Sequence, residues 1–271
     1  MVKYGLAILL AFAALVAAMA WSQDQLLFPT DAVGPADPLP GGAQRISLAA
    51  SSEVRLHGVH IPPAAASNQP RTTSARTLVL GFGGNAWNGD NVGSYLHQLY
   101  PQADVVAFHY RGYTPSTGRP SAQALIEDAP LVLDAAVERV KPQLVVAVGF
   151  SIGSGVAAGL ANQRKIDGLI LVTPFDSLKA VARELYPWLP IGALFRHEMD
   201  AVESLDGSEV PIAIVAAGRD EIIPAARTDA LRGKLSNLVY DSIVNGAGHN
   251  DIYARPDFQQ AMREALGAVT K

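Results

Sequence analysis

Ser151 stands at the centre of Gly149–Gly153, which has the pattern Gly-x-Ser-x-Gly. This pattern is typical of a tight turn between a strand and a helix that presents a nucleophilic hydroxyl. The preceding run Leu144–Val148 is continuously apolar, and residues 154–161 are small and apolar, which predicts a buried strand and a closely packed helix. A glycine-rich turn that merely carries a serine has the same pattern, so the partner residues must decide between the two interpretations.

A serine hydroxyl becomes an effective nucleophile when a histidine takes its proton and a carboxylate orients that histidine. In strand-turn-helix sites of this kind, the chain order is serine, acid, histidine. Asp220 follows the apolar run Ile212–Ala216, and His249 lies in a glycine-rich loop after Leu238–Ile243. The sequence therefore predicts Ser151, Asp220 and His249 as a catalytic triad.

Two other carboxylates compete with Asp220 for the orienting role. Asp176 follows the predicted strand Gly168–Val172, and Glu221 is the next residue along the chain. Asp220 is preferred, although an aspartate before Pro224 could also simply cap a helix. The other histidines occur on early strands, in a helix pattern, at a strand end or in an irregular stretch: His57, His60, His97, His109 and His197.

Acyl transfer also needs two backbone N–H groups directed at the developing oxyanion. The residue after the nucleophile, Ile152, supplies one, and the loop Gly81–Asn88 is expected to supply the other. Asn85 is the preferred second donor, with Ala86 next. The same loop contains Gly-x-Gly-x-x-Ala, but no acidic residue ends the following strand, which argues against dinucleotide binding.

Strand and helix patterns alternate from Gln44 onward, which predicts an α/β fold with a mostly parallel sheet covered by helices on both faces. Two alternating runs, Gln44–Ala50 and Glu53–Ile61, predict an antiparallel pair before a polar loop at Pro62–Ser74. Six further strands are predicted at Thr77–Leu80, Asp104–His109, Leu144–Val148, Gly168–Val172, Ile212–Ala216 and Leu238–Ile243. Five helices are predicted at Val92–Tyr100, Ser121–Val140, Ile152–Ala161, Pro224–Leu235 and Pro256–Ala268. Residues 175–208 interrupt this alternation and predict a small helical insertion, or lid, over the edge where α/β folds bind ligands.

Composition excludes several classes of protein. The 271-residue chain has a net charge of −4 and no Lys/Arg run, so no nucleic-acid partner is predicted. It contains no cysteine, which excludes disulfides, thiolate catalysis and cysteine-based metal sites. No metal site and no cofactor are predicted.

Residues 1–22 are predicted to be a signal peptide or an N-terminal membrane anchor. Tyr4–Trp21 is an uncharged run rich in alanine and leucine, and Ala18–Ala20 fits a small-x-small cleavage site. The length of the run favours a retained anchor. Residues 23–43, with a Pro/Gly/Asp-rich stretch from Phe28 to Gly42, are predicted to be a linker that holds the domain, residues 44–271, off the membrane.

Four segments resemble the small membrane-anchored alpha/beta hydrolases, a group related to the serine-aminopeptidase-like hydrolases that includes depalmitoylating enzymes. Gly83–Asn88 resembles the group's His-Gly-Asn-Ala-Gly-Asn oxyanion loop, and Phe108–Tyr113 resembles its Asp-Tyr-Arg-Gly-Tyr segment. Tyr186–Pro190 resembles its insertion, and Gln25–Pro29 resembles the stretch after its membrane segment. The similarity runs from about Leu6 to the end of the chain.

The resemblance implies an alpha/beta hydrolase fold with an eight-stranded sheet and a serine hydrolase that cleaves esters or thioesters without a cofactor. It carries Ser151, Asp220 and His249 over as the triad. Gly83 stands where the group has histidine, and His109 stands where it has aspartate. A peptidase for short peptides and an inactive fold that binds a lipid or a protein are the alternatives.

Overall fold

The computed structural model describes residues 2–64 and 75–271 and is built on one eight-stranded sheet with the order β1-β2-β4-β3-β5-β6-β7-β8. Strand β2 runs antiparallel to β1 and β4, and the other neighbouring strands are parallel. The strands are β1 (Gln44–Ala49), β2 (Arg55–Ile61), β3 (Thr77–Phe82), β4 (Asp104–Phe108), β5 (Leu144–Phe150), β6 (Gly168–Val172), β7 (Ile212–Ala217) and β8 (Leu238–Val244). The predicted eight-stranded, mostly parallel sheet is confirmed. Residues 65–74 of the predicted polar loop lie outside the described residues.

The helices cover both faces of this sheet. They are α1 (Val2–Trp21), α2 (Gln23–Leu27), α3 (Gly89–Leu99), α4 (Ala122–Val140), α5 (Ile152–Gln163), α6 (Leu178–Leu185), α7 (Ile191–Leu194), α8 (Ala201–Ser204), α9 (Ala225–Arg232) and α10 (Pro256–Val269). Side chains of α3 and α10 pack on one face, and those of α4, α5 and α9 pack on the other. Helix α3 begins earlier than predicted because the Asn88 side chain caps it by accepting a hydrogen bond from the Asn91 amide.

The alternation of side chains along each central strand divides the core between the two faces. In β3, Leu78 and Leu80 belong to the cluster under α4 and α5, whereas Val79 belongs to the cluster under α3 and α10. All three side chains are fully buried. Continuous apolar runs therefore form central strands because both faces of the sheet are covered.

The predicted insertion at residues 175–208 contains three short helices, α6, α7 and α8. Its first helix starts at Ser177, whose side chain accepts a hydrogen bond from the Ala180 amide. Leu178 and Val181 are the buried residues of this helix. The insertion lies between β6 and β7, above the carboxyl edge of the sheet.

Part of the predicted linker, from Phe28 to Asp37, packs against the domain. Phe28 is only 2% exposed and packs edge-on against His197 of the insertion. Asn88 donates a hydrogen bond to the carbonyl of Gly34, and Asn91 accepts one from the amide of Asp37. The proline-rich stretch therefore lies on the domain surface, because backbone groups that a tether would leave to water are paired with the domain.

Helix α1 is long and apolar enough to cross a membrane. Its segment Lys3–Trp21 has a mean hydropathy of 2.1, and residues 2–64 and 75–271 bury none of it. By length and composition alone, a secretion signal has the same properties.

Candidate active site

The predicted site residues meet at the carboxyl edge of the sheet. Ser151 follows β5, Asp220 lies beyond β7, His249 lies beyond β8, and Asn85 lies beyond β3. Because these four strands are parallel, their carboxyl ends share one edge, and the loops that follow them converge. The structure therefore brings together residues that are up to 164 positions apart in the chain, from 85 to 249.

The turn that carries Ser151 is tight and strained. Ser151 has φ +52° and ψ −119°, in the region that favours glycine. A Cβ on Gly149 would lie 2.3 Å from the carbonyl oxygen of Gly153, and a Cβ on Gly153 would lie 2.3 Å from that of Phe82. Both glycines of the motif are therefore required by close backbone approach, and α5 can begin directly after the serine.

A continuous chain of hydrogen bonds links Ser151, His249 and Asp220. His249 Nε2 is 2.9 Å from Ser151 Oγ, and His249 Nδ1 is 2.8 Å from Asp220 Oδ2. A carboxylate only accepts hydrogen bonds, so Nδ1 carries the proton and Nε2 is free to accept the serine hydroxyl. The side chains of His249 and Asp220 are 5% and 7% exposed, so solvent hardly competes for these bonds.

Asp220 is held in place by the backbone amides of the residues that follow it. Its Oδ1 accepts hydrogen bonds from the amides of Ile222, at 2.9 Å, and Ile223, at 2.7 Å. These bonds fix the carboxylate in the loop after β7 and direct it at the histidine ring.

The two rival carboxylates have other partners. Asp176 Oδ2 pairs with Arg227 Nη1 at 3.1 Å, and burial raises the pKa of Asp176. Glu221 Oε2 accepts a hydrogen bond from the backbone amide of His249 at 3.0 Å, rather than from its ring. Glu221 therefore holds the histidine loop, together with Asp251, whose Oδ1 accepts from the Gly248 amide at 2.8 Å. Sequence reasoning missed this positioning role, because an amide partner leaves no mark on the pattern of residue types.

The loop after β3 is fixed by three consecutive carbonyl groups. The carbonyl of Gly83 accepts a hydrogen bond from the Tyr110 hydroxyl, and that of Asn85 accepts one from the Tyr113 hydroxyl, both at 2.8 Å. The carbonyl of Gly84, which shares a peptide plane with the Asn85 N–H, accepts from the Trp87 amide at 3.2 Å. Burial raises the pKa of both tyrosines well above the usual range, so the hydroxyls stay protonated and donate.

Within the described part of the chain, the amides of Asn85 and Ile152 donate to no protein acceptor. Both residues line the same cavity as Ser151. Because the C=O and N–H of a trans peptide point in opposite directions, the bond to the Gly84 carbonyl also fixes the direction of the Asn85 N–H. The two residues that the sequence predicts as oxyanion donors thus line the cavity of the nucleophile, and their role as donors stays a prediction.

His109, one of the two departures from the resembling group, is buried and paired. Its Nδ1 accepts from the Gly89 amide at 3.4 Å, and its Nε2 is 3.2 Å from Asp90 Oδ1. Burial alone would raise the pKa of Asp90, but hydrogen bonds from His109 and Arg45 outweigh this and hold that pKa below its usual range. His109 therefore secures the start of α3 and does not reach the Ser151 hydroxyl.

A cavity of about 300 Å³ opens over Ser151. Apart from the site residues, most of its lining is apolar and comes from the insertion, for example Leu178, Leu189 and Phe195. Among residues 2–64 and 75–271, no cluster of three or more histidine, aspartate or glutamate side chains could hold a metal ion.

The family follows from comparison with known proteins. A model of the alpha/beta hydrolase fold matches residues 78–197. An uncharacterised protein of Mycobacterium tuberculosis is 32% identical over 242 residues, which cover 85% of this chain and 82% of the relative. The chain belongs to the alpha/beta hydrolase family.

One further relative of this alpha/beta hydrolase, and one solved structure of similar fold, have named activities. Lysophosphatidylserine lipase ABHD12 of Danio rerio is 26% identical over 228 residues, covering 72% of this chain and 59% of the lipase. The crystal structure of a membrane phospholipase A, described as a bacterial virulence factor, matches over 99% of both chains with a TM-score of 0.60 and 17% identity. The predicted resemblance to alpha/beta hydrolases is confirmed, and this chain is a hydrolase of that fold.

Proposed function

We propose that this alpha/beta hydrolase is a serine hydrolase that cleaves carboxylic esters or thioesters through an acyl-enzyme intermediate. The observation that carries the proposal is the chain of hydrogen bonds from Ser151 Oγ through the His249 ring to the Asp220 carboxylate. In this arrangement the histidine can accept the serine proton as the hydroxyl attacks, and the carboxylate stabilises the imidazolium that forms.

The reaction proceeds in two halves. Ser151 Oγ attacks the acyl carbon while His249 Nε2 takes the hydroxyl proton, and the amides of Asn85 and Ile152 donate to the resulting oxyanion. The intermediate collapses, His249 gives the proton to the leaving alkoxide or thiolate, and the acyl group stays on Ser151. A water molecule, deprotonated by His249, then attacks the acyl carbon and releases the carboxylic acid and the free serine.

The cavity favours an acyl substrate over a peptide. Its wall contains leucines, isoleucines and phenylalanines, which suit a hydrocarbon chain and offer few partners for a peptide backbone. The names of the lysophosphatidylserine lipase and the membrane phospholipase A among the similar proteins support lipid esters as the substrate class.

Labelling with a fluorophosphonate probe tests the nucleophile, because only an activated hydroxyl attacks such a phosphorus centre. We expect wild-type protein and Ser154→Ala to be labelled and Ser151→Ala not to be. Ser154 is the matched control, since it is fully buried and its hydroxyl donates to the Ser151 carbonyl at 2.6 Å. Equal labelling of wild type and Ser151→Ala would refute Ser151 as the nucleophile, and no labelling of either protein would favour an inactive, ligand-binding fold.

We also propose that residues 1–22 anchor the protein in a membrane, that residues 23–43 connect the anchor to the domain, and that residues 44–271 form the hydrolase domain. The apolar segment Lys3–Trp21 supports this proposal, because the described part of the chain leaves its outward side chains uncovered, for example Ile8 at 70% exposed. Full-length protein should remain in the membrane fraction after carbonate extraction, with an intact N-terminus on sequencing. A mature N-terminus at Trp21 would instead identify a cleaved signal.

A further inference from the structure

The end of the N-terminal helix forms part of the wall of the cavity over Ser151. Val16, Met19 and Ala20 of α1 line this cavity, and Gln23 of α2 continues the same stripe. Their spacing of three and four residues places them on one helix face. Among residues 3–21 of α1, these three are partly covered, whereas the others are exposed.

Polar contacts hold this stretch against the insertion. Gln23 Nε2 donates to the carbonyl of Leu194 at 2.9 Å, and Gln23 Oε1 accepts from the amide of Arg196 at 3.1 Å. His197, whose side chain is 7% exposed, pairs with Asp24 Oδ1 at 2.7 Å. The contacts join residues more than 170 positions apart, so α1 and α2 dock on the insertion in a defined register.

The rim of the cavity on this side is apolar and exposed. Leu26, Leu185 and Tyr186 line the cavity and are 60%, 43% and 43% exposed. Trp188, which is 50% exposed, contacts Phe12 of α1 with ring centroids 6.3 Å apart. Exposed aromatic and aliphatic side chains beside a membrane-length helix are typical of a surface that sits in the membrane interface.

We propose that an acyl chain enters the active site directly from the bilayer along α1, and that the anchor itself supplies one wall of the acyl-chain site. This inference rests on the proposed serine hydrolase function and narrows its substrate to a lipid with a long acyl chain drawn from the membrane that holds the anchor. An anchor with this role is retained in the active enzyme, since cleavage before Trp21 would remove Val16, Met19 and Ala20 from the wall.

The test compares full-length variants reconstituted in phosphatidylcholine vesicles. Ala20→Trp places a large side chain in the cavity, and Ala18→Trp places the same side chain on the exposed face of the same helix. The readout is the ratio of kcat/KM for a p-nitrophenyl dodecanoyl ester to kcat/KM for the butyryl ester. We expect Ala20→Trp to lower this ratio about tenfold relative to wild type, because overfilling a packed apolar site excludes the distal part of a long chain. Ala18→Trp should leave the ratio unchanged.

A second variant works in the opposite direction. Met19→Ala enlarges the cavity. It should raise the ratio of kcat/KM for an ester longer than dodecanoyl to kcat/KM for the butyryl ester. Active protein whose ratios are the same in wild type, Ala20→Trp, Met19→Ala and Ala18→Trp overturns the inference and leaves the proposed function standing. Wild-type protein that is inert to both esters and to the fluorophosphonate probe overturns both.

Discussion

Replacing Tyr113 by phenylalanine tests whether the tyrosines behind the loop after β3 support catalysis or only stability. Tyr113 is fully buried, and its hydroxyl donates to the carbonyl of Asn85 at 2.8 Å. Tyr113→Phe removes the donor and leaves that carbonyl without it, which lowers the free energy of unfolding by about 1–3 kcal/mol. The same change also loosens the peptide that follows the proposed oxyanion donor.

The expected rate effect follows from how much of the loop remains fixed. Complete loss of one oxyanion donor lowers kcat by about 10²–10³-fold. The Gly83 and Gly84 carbonyls keep their hydrogen bonds in Tyr113→Phe, so we expect a partial effect of about tenfold, equal to ~1.4 kcal/mol of activation free energy. Because the proposed donor, the Asn85 N–H, would act on the transition state, KM should change little. Adding Tyr110→Phe should bring the loss close to that of a missing donor.

Tyr100 provides a matched control, since its buried hydroxyl donates to the carbonyl of Met262 at 2.9 Å on the far side of the sheet. Thermal unfolding and steady-state hydrolysis of p-nitrophenyl butyrate are measured for Tyr113→Phe and Tyr100→Phe. Both variants should lose stability, and only Tyr113→Phe should lose kcat. If both variants lose similar stability and keep wild-type kcat, the reasoning about the loop is wrong.

Two further outcomes are expected from carboxylates of known geometry. Asp220→Asn should lower kcat by about four orders of magnitude, because the amide no longer selects the histidine tautomer that the proposed mechanism needs. Asp176 pairs with Arg227, so Asp176→Asn should lower kcat less than about tenfold. A larger loss of kcat in Asp176→Asn than in Asp220→Asn would contradict the assignment. Burial alone would raise the pKa of Asp104, but hydrogen bonds from Arg76 and His60 outweigh this and hold that pKa below its usual range. The ionised carboxylate therefore stabilises the fold above about pH 4, and the contribution is lost as the pH falls through the lower folded-state pKa, so Asp104→Asn should lower Tm clearly at pH 7 and progressively less towards about pH 2. A Tm difference that stays constant over this range would show that charge on Asp104 contributes nothing.

The sheet was predictable because central parallel strands impose a strong local pattern. Both faces are buried, so β6 (Gly168–Val172) reads as an uninterrupted apolar run, and its observed bounds equal the predicted ones. The ends of α3 and α9 were harder to predict. The residue at which a helix begins or ends depends on single hydrogen bonds, which the apolar pattern does not record. Asn88 starts α3 earlier than the apolar periodicity indicates, and α9 ends at Arg232, before the predicted Leu235.

The contacts that the sequence did not reveal join residues from distant parts of the chain. The hydroxyls of Tyr110 and Tyr113 reach a loop that precedes them by more than 25 residues. The stretch from Phe28 to Gly42 has the composition of a linker, and composition records local conformational preference and not where a surface segment packs. The burial of Phe28 and the pairing of Asp24 with His197 both arise only when the insertion has folded, so neither can be predicted from local sequence.

Close packing of α3 explains why residue 83 is a glycine. A Cβ there would lie 2.7 Å from Val92 Cγ2 and 3.3 Å from the carbonyl oxygen of Trp87, so a side chain at this position would require Val92 or the loop to shift. The chain instead packs α3 closely against this backbone and fixes the Gly83 carbonyl through Tyr110. In this chain the loop is therefore held through the hydroxyls of Tyr110 and Tyr113, with no side chain at position 83. The predicted rate loss in Tyr113→Phe measures how much one of these hydroxyl bonds contributes to holding the proposed oxyanion donor in place.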